Sequence, residues 1–354
     1  MQIVSLGEVL WDVFKLKEFL GGAPLNFAAN AQRLGNHVAL LTAVGVDERG
    51  ARALAEMKAL GLTTEFVQSD ANHATGTAIV VIDGEGNASY VIERPAAFDC
   101  LHVDDALLAR LAALRPEWIY YGTLAQARGE NEAILCRIVK RIPGVKCFYD
   151  LNLRKGHWNL PLVHRLSAHA TVLKLNEDEA ELLSALTLGE GSFNLEAFCR
   201  HWSATHGMTT ICVTLGSKGC AVFFDDRLET YEGIKVNVVD TVCAGDAFAA
   251  AFLHGFELGW PMERTARFAN AVGALVASRA GATPAWTPDE CLWWIGPQAA
   301  RRRSIDTQPE ARSSTELTLS TAERRGWEPT PCTCRWRSEQ LCGSRGHALT
   351  SPER

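Results

Sequence analysis

Between Asp104 and Leu175 the chain alternates helix-like and strand-like patterns so regularly that few folds can accommodate it. A helical pattern from Asp104 to Leu114 leads to the apolar strand Trp118-Ile119-Tyr120-Tyr121. A helix from Glu130 to Val139, the strand Lys146-Cys147-Phe148-Tyr149, a helix around Val163 and a strand from Thr171 to Leu175 follow. Strands separated by helices are joined by crossovers, so neighbours pair in parallel and both faces of the sheet need helical cover. The expectation is an α/β fold, a doubly wound and mostly parallel central sheet flanked by helices. At 354 residues with 47% hydrophobic side chains, the chain can bury such a core. Ligands on these sheets bind beyond the carboxyl ends of the strands, which draws attention to the polar residues that follow each one.

Upstream, Gln2 to Leu6 reads as a strand, Pro24 to Leu34 as a helix closed by Gly35, Val38 to Val44 as a strand, and Ala51 to Leu60 as a helix closed by Gly61. Residues 77–83 and 88–93 read as a hairpin around the turn Gly84-Glu85-Gly86-Asn87. Two strands do not stand alone in water, so this hairpin needs further strands or a body to close over. A net charge of −6 argues against a nucleic-acid surface. No apolar run reaches the roughly 18 to 20 residues of a membrane span, and Met1 leads into a strand rather than a signal segment, so a cytoplasmic protein is expected. The 11 cysteines are scattered through apolar segments, as at Cys136, Cys147, Cys212 and Cys220, and most read as reduced core residues. His157, Trp158, Trp293 and Trp294 read as packing residues. Residues 1–297 form the expected folded domain. From 298 to 354, Arg301-Arg302-Arg303 and Ser/Thr/Arg/Glu-rich sequence predict a disordered tail. The Cys-x-Cys spacing at Cys332 and Cys334, with Cys342 and His347 beyond, does not match common structural zinc modules.

The most chemically suggestive stretch is Asp240-Thr241-Val242-Cys243-Ala244-Gly245-Asp246. It lies between the alternating Ile234-Lys235-Val236-Asn237-Val238-Val239, which reads as a strand, and the Ala-rich run Ala247 to Leu253, which reads as a buried helix. Unpaired N–H groups and the helix dipole at such a start can hold phosphate oxygens. A carboxylate beside phosphate is repelled, yet Asp246 stands where a base would take the proton of an attacking hydroxyl. The plainer alternative makes Asp246 a first-turn helix acid and Gly245 a turn residue.

This stretch resembles the Asp-Thr-x-Gly-Ala-Gly-Asp signature of the ribokinase-like (PfkB) carbohydrate kinase family. A second segment, Gly21-Gly22-Ala23-Pro24-Leu25-Asn26-Phe27-Ala28 through Leu34-Gly35, is similar to the family's sugar-binding Gly-Gly-x-x-x-Asn segment. The opening Gly7-Glu8-Val9-Leu10-Trp11-Asp12 most resembles fructokinase-type members, and the likeness runs from Gln2 to Pro284. It implies Asp12, Gly21, Gly22 and Asn26 as sugar ligands beneath a small β-sheet lid whose strands fall mainly within 8–20 and 75–99. Asp150-Leu151-Asn152-Leu153-Arg154 resembles the Asp-x-Asn-x-Arg segment of fructokinase and ketodeoxygluconate kinase members. Arg154, and Arg94 with it, would suit an anionic phosphate or acidic substrate, a solvated loop arginine being the alternative. Asn176-Glu177-Asp178-Glu179 resembles the Asn-x-x-Glu segment that helps to hold magnesium through water, and the same spacing fits a helix-capping box. Thr214 to Gly219 resembles the Thr-x-Gly-x-x-Gly nucleotide segment, with Thr214, Gly216 and Gly219 at its marked positions, although a glycine-containing hairpin turn looks the same. In the family, Asn270 would lie near the adenine of ATP. Asp240, Thr241 and Gly281 would lie near a monovalent cation such as K+.

The implied reaction is transfer of phosphate from ATP to a primary hydroxyl of a sugar, with fructose as the leading substrate. Asp246 accepts the hydroxyl proton, and the N–H groups of Cys243, Ala244, Gly245 and Asp246 hold the developing charge. Alternatives are 2-keto-3-deoxygluconate, ribose or a nucleoside as substrate, or a catalytically silent sugar or nucleotide sensor. Family members often pair through the lid, which implies a homodimer. Cys243 departs from the usual glycine. Its backbone N–H survives, provided the loop does not require a φ above zero, which only glycine adopts cheaply, and a thiol at a helix start is expected to lean toward thiolate and be oxidation-sensitive unless ATP covers it.

Overall fold

The computed structural model describes residues 1–14, 17–82, 88–189, 191–281 and 283–296, without the side chains of 80–82, 88–90 and 295. The hairpin turn at 84–87, the segment 298–354 and its cysteines lie outside the described residues.

Crossover connections produce one large sheet. Its central strands are β1 (Gln2–Leu6), β4 (His37–Gly45), β8 (Trp118–Gly122), β9 (Lys146–Asp150), β10 (Val172–Asn176) and β11 (Thr210–Thr214). One edge is β5 (Val67–Asp70), and the other is the hairpin β12 (Gly219–Phe224) and β13 (Arg227–Glu232). The nine strands lie in the order β13-β12-β11-β10-β9-β8-β1-β4-β5. From β11 to β5 all neighbours are parallel, whereas β12 and β13 are antiparallel. The two-residue period of the strands sorts the core. Ile3, Trp118, Tyr120, Phe148 and Val172 face one apolar cluster, and Val4, Ile119, Tyr121, Tyr149 and Leu173 face another.

The first cluster is covered by α1 (Ala23–Arg33), α2 (Glu48–Ala59), α9 (Ala244–Glu257), α10 (Met262–Ala277) and α11 (Pro288–Ile295). The second is covered by α3 (Asp105–Ala113), α5 (Asn131–Arg141), α6 (Leu160–Ser167), α7 (Glu177–Leu188) and α8 (Leu195–His206), with the short α4 (Thr123–Gln126) following β8. Helix α9 is buried from Asp246 through Leu253, which explains an Ala-rich sequence with no polar face. Its Gly255 lets α10 approach, since a Cβ there would stand 2.9 Å from the Trp260 ring.

A second, four-stranded sheet has the order β3-β2-β6-β7, from β2 (Leu10–Phe14), β3 (Lys17–Gly21), β6 (Gly76–Ile82) and β7 (Ala88–Ile92). The β6–β7 hairpin thus gains its support from the segment between β1 and α1, through parallel pairing of β2 with β6.

Two readings of the sequence are corrected. Residues 234–239 alternate like a strand but form none. The antiparallel edge ends at β13, and the chain turns away to bond the C-terminal end of α10, with the Val239 and Asp240 N–H groups both donating to the Ala277 carbonyl. The segment does not pair with the open edge of β13, and Val238 and Val239 remain exposed. Trp293 is 70% exposed, while Trp158 and Trp294 pack against the core.

Candidate active site

The loop 240–243 ends where α9 begins, and Asp246 is the third residue of that helix. Its carboxylate is buried, and Asn26 on α1 donates through Nδ2 to Asp246 Oδ2 at 2.9 Å and to Cys243 Sγ at 2.8 Å. The two segments singled out in the sequence, 220 residues apart, are therefore in direct contact. Burial pushes the Asp246 carboxyl up to about 6. The charge of Asp150 adds to the shift, while Lys174, the Asn26 hydrogen bond and Arg154 oppose it. A carboxylate poised there is ionised at neutral pH and still basic enough to accept a proton.

Beneath the loop lies an ionic group that sequence reasoning missed. Lys174 Nζ donates to both Asp150 oxygens, at 3.0 and 3.2 Å, and Tyr120 Oη donates to Asp150 Oδ2 at 3.0 Å. Parallel register sets Lys174 opposite Asp150, and the two-residue period turns both toward the α1 and α9 face. Burial works against the ammonium, yet Asp150, Asp246 and Glu179 hold Lys174 above its ordinary value. A Cβ on Gly245 would come within 3.2 Å of Lys174 Nζ, so the cation sits directly under the loop. The only signal in the sequence was a lysine inside the apolar run Val172-Leu173-Lys174-Leu175.

On the other side, β2 carries Asp12, and Gly21 leaves it room, because a Cβ at Gly21 would stand 2.8 Å from Asp12 Oδ2. Gly22 has φ of 112° and passes the Glu8 carbonyl closely enough that a Cβ would meet it at 2.5 Å. Burial raises Asp12 to about 6, Arg154 opposing and Asp246 and Asp240 reinforcing the rise. Glu8 was read only as part of the opening motif, but it is buried, and its Oε2 has no hydrogen-bond partner. Burial lifts it to about 7 against the opposing effects of its own N–H, the Ala23 N–H and Arg154.

A carboxyl raised on folding from its ordinary 4.5 to about 7 contributes stability that is complete below pH 4.5 and lost as pH rises through 7. Glu8→Gln is thus expected to match the parent near pH 4 and exceed it at pH 8 by about 3 kcal/mol, at about 1.4 kcal/mol per pKa unit. Urea unfolding at both pH values measures this, and a variant whose stability tracks the parent's across the range refutes it.

Past the ends of β10 and β11, register sets Asn176 opposite Thr214. Asn176 and Glu179 form a capping box, with Glu179 N–H donating to Asn176 Oδ1 at 2.8 Å and Asn176 N–H to Glu179 Oε2 at 2.9 Å. Glu179 Oε1 also accepts the Leu153 N–H at 2.7 Å. Burial raises the Glu179 carboxyl, opposed by these N–H groups and Lys174. Gly216 opens a 3-10 turn with space around it, whereas at Gly219 a Cβ would stand 2.1 Å from the Tyr231 carbonyl. Asn270 donates to the carbonyls of Tyr231 and Glu232, tying α10 to that same corner. Asp240 accepts the N–H groups of Val242 at 2.9 Å and Gly281 at 3.3 Å, which brings the loop with Thr241 against Gly281.

The two arginines differ. Arg154 is exposed, bonds Asn152 Oδ1 at 3.0 Å, and its charge reaches Glu8, Asp12 and Asp246. Arg94 is sequestered, with its side chain 3% exposed, paired with both Asp99 oxygens and donating to the Leu124 carbonyl at 3.0 Å.

The model of the pfkB family carbohydrate kinases matches residues 2–289. The chain belongs to that family. Among relatives, Fructokinase-1 of Oryza sativa subsp. japonica is 29% identical over 308 residues, spanning 80% of this chain and 93% of the relative. Among solved structures, the fructokinase of Xylella fastidiosa with bound ATP superposes with a TM-score of 0.72 at 23% identity, covering 84% of this chain and 99% of the other. The 2-dehydro-3-deoxygluconokinase of Thermotoga maritima gives the same TM-score at 20% identity, covering 84% and 100%.

In this carbohydrate kinase the residue that departs from the family signature is Cys243, and the structure settles both doubts about it. Cys243 caps α9 with φ of 65°, in the left-handed region where a side chain costs about 1–2 kcal/mol relative to glycine. The N–H groups that follow it keep their place at the helix start, and the loop bears the strain. The expected lean toward thiolate is overturned. Burial and the nearby Asp246, Asp12 and Asp240 push the Cys243 thiol well above its ordinary value, outweighing Arg154. Among the described residues of this kinase, no helix is long and apolar enough to cross a membrane.

Proposed function

We propose that this sugar kinase transfers the γ-phosphoryl group of ATP to a primary hydroxyl of fructose, with Asp246 as general base. The observation that carries the reading is the contact of Asn26 with Asp246 at the start of α9. It joins the loop suited to phosphate to the segment suited to sugar. The hydroxyl loses its proton to Asp246, while the N–H groups of Ala244, Gly245 and Asp246 face the charge that develops on the phosphoryl oxygens. Lys174 and its partner Asp150 set the field under the loop. Asp12, the free Glu8 oxygen and Asn26 accept or donate hydrogen bonds to the sugar hydroxyls. The four-stranded sheet covers them as a lid on the domain 1–297.

ATP occupies the corner made by Thr214, Gly216, Gly219 and Asn270. The magnesium that accompanies it neutralises phosphate charge. Both Glu179 oxygens already accept a backbone N–H, so Asn176 and Glu179 fit a hydrated hard cation held through water rather than direct ligation. Asp240 and Thr241, drawn against Gly281, form the corner for a monovalent cation.

A neutral sugar is favoured by charge. Among the described residues, Glu8, Asp12 and Asp246 face a single exposed cation, Arg154, and Arg94 is consumed by Asp99, so the carboxylate of an acidic sugar would meet net negative charge from them. The similarity to Fructokinase-1 of rice points the same way. ADP release with magnesium-ATP, compared across fructose, ribose, 2-keto-3-deoxygluconate, glucose and adenosine, tests this. Fructose-dependent turnover is expected. Preferential turnover of 2-keto-3-deoxygluconate would defeat the charge argument, and silence on every sugar with intact ATP binding would defeat the catalytic reading.

A further inference from the structure

A cluster remote in role from the kinase site joins two loops at the edge of the large sheet. Asp70 ends β5, His73 lies in the turn that follows, and Cys100 follows the 3-10 turn Ala97–Asp99. Among the described residues this trio is a group of metal-ligating side chains whose ligand atoms all lie within 4.8 Å of one another. We propose that it is a binding site for a soft divalent cation of the zinc class, bridging Cys100 Sγ and His73 Nε2, with Asp70 orienting the imidazole.

The geometry carries the proposal. Cys100 Sγ and His73 Nε2 are 3.6 Å apart. Zinc binds sulfur at about 2.3 Å and imidazole nitrogen at about 2.0–2.1 Å, and a tetrahedral angle between those bonds puts the two donors about 3.5 Å apart. The separation of the two donors is therefore already the one that a shared tetrahedral metal requires. On the far side of the ring, His73 Nδ1 lies 2.9 Å from Asp70 Oδ2, the carboxylate–histidine arrangement that fixes the tautomer and makes the other nitrogen the ligand.

Asp70 is itself held, its Oδ1 accepting the N–H groups of Asn72 at 2.7 Å and His73 at 3.1 Å. The loops are tied together by the Ala97 N–H donating to the Ala74 carbonyl at 2.9 Å, and Thr75 is pinned by Asp47 through both its N–H and its hydroxyl. The ligands are thus positioned before any metal arrives. All three are half-buried, so an ion can enter and the two remaining tetrahedral positions stay open to water.

The cluster differs from the second cysteine–histidine contact among the described residues, Cys136 Sγ to His169 Nε2 at 3.3 Å. There the neighbouring carboxylate, Glu132, is bound to Arg165. Without metal, burial, with Asp70 and Asp99 reinforcing and Arg128 opposing, raises the Cys100 thiol. Binding then forms the sulfur–metal bond and releases one proton to solvent. A thiolate–imidazole pair also discriminates against the magnesium used by the kinase reaction, which prefers oxygen ligands.

The test uses the full chain, stripped with a chelator and then titrated with cobalt(II) and with zinc against a chromophoric competitor in the presence of magnesium. One equivalent is expected, with a thiolate-to-cobalt charge-transfer absorption. Cys100→Ser and His73→Ala should abolish both, and Asp70→Asn should weaken binding by about tenfold to a hundredfold. Cys136→Ser should change nothing. In the unaltered chain, zinc should slow alkylation of Cys100, read by peptide mass spectrometry, a result that needs no variant to fold. The proposal is overturned if no equivalent binds, if zinc leaves Cys100 alkylation unchanged, or if folded Cys100→Ser retains the metal, which would assign it to other donors such as Cys332, Cys334, Cys342 and His347.

Discussion

Asp246→Asn is expected to lower turnover by about a hundredfold or more, with little loss of ATP binding or of folding. The amide keeps the size of the carboxylate and can still accept the hydrogen bond from Asn26 Nδ2, so α9 and α1 stay joined. What it loses is the capacity to take a proton. Its stability should equal or exceed the parent's at neutral pH, because burial disfavours the charge that the substitution removes. The parent itself should show the same chemistry as a pH effect. With Asp246 raised to about 6, turnover should fall as pH drops through 6, approaching tenfold per unit once the carboxyl is mostly protonated. Single-turnover rates for parent and variant, with unfolding curves for both, measure this. Near-normal turnover by a folded Asp246→Asn enzyme would remove Asp246 from the role of base.

The largest effect on stability is expected from Lys174→Met. Side chains of Lys174 and Asp150 are 8% and 1% exposed, so removing the cation leaves the Asp150 carboxylate buried with Tyr120 as its remaining hydrogen-bond donor. Breaking such a pair from one side costs about 3–5 kcal/mol. The double variant Lys174→Met with Asp150→Asn should recover much of that, since the penalty is for a stranded charge rather than for a lost attraction. Lys174 also lowers the Asp246 carboxyl, so the pH at which turnover is halved should move upward in the single variant. Denaturant unfolding of both singles and the double measures the coupling. A cost below about 1 kcal/mol for Lys174→Met would mean that water reaches this pair and screens it.

Much of the architecture was legible before any coordinates because its signals are local. Strand and helix periods are written in consecutive residues, and their alternation from Asp104 to Leu175 leaves a parallel sheet as the natural solution. Where a local signal misled, the missing element was a partner. Residues 234–239 have the alternation of a strand, but a strand forms only where it pairs, and this segment leaves the open edge of β13 and spends the Val239 and Asp240 N–H groups on α10. The capping box at Asn176 and Glu179 was legible for the opposite reason, its partners being three residues apart.

The candidate site divides along the same line. The sequence by itself determined which residues stand after the strands and at the start of α9, and their likeness to a carbohydrate kinase. Tertiary structure alone decided that Asp246 touches Asn26, that Lys174 is neutralised by Asp150 under the loop, that Glu8 is buried with a free oxygen, and that Arg94 is spent on Asp99. The energy of a charge depends on its solvent exposure and on the charges beside it. Both are set by strand order and helix packing, which bring together residues far apart in the chain.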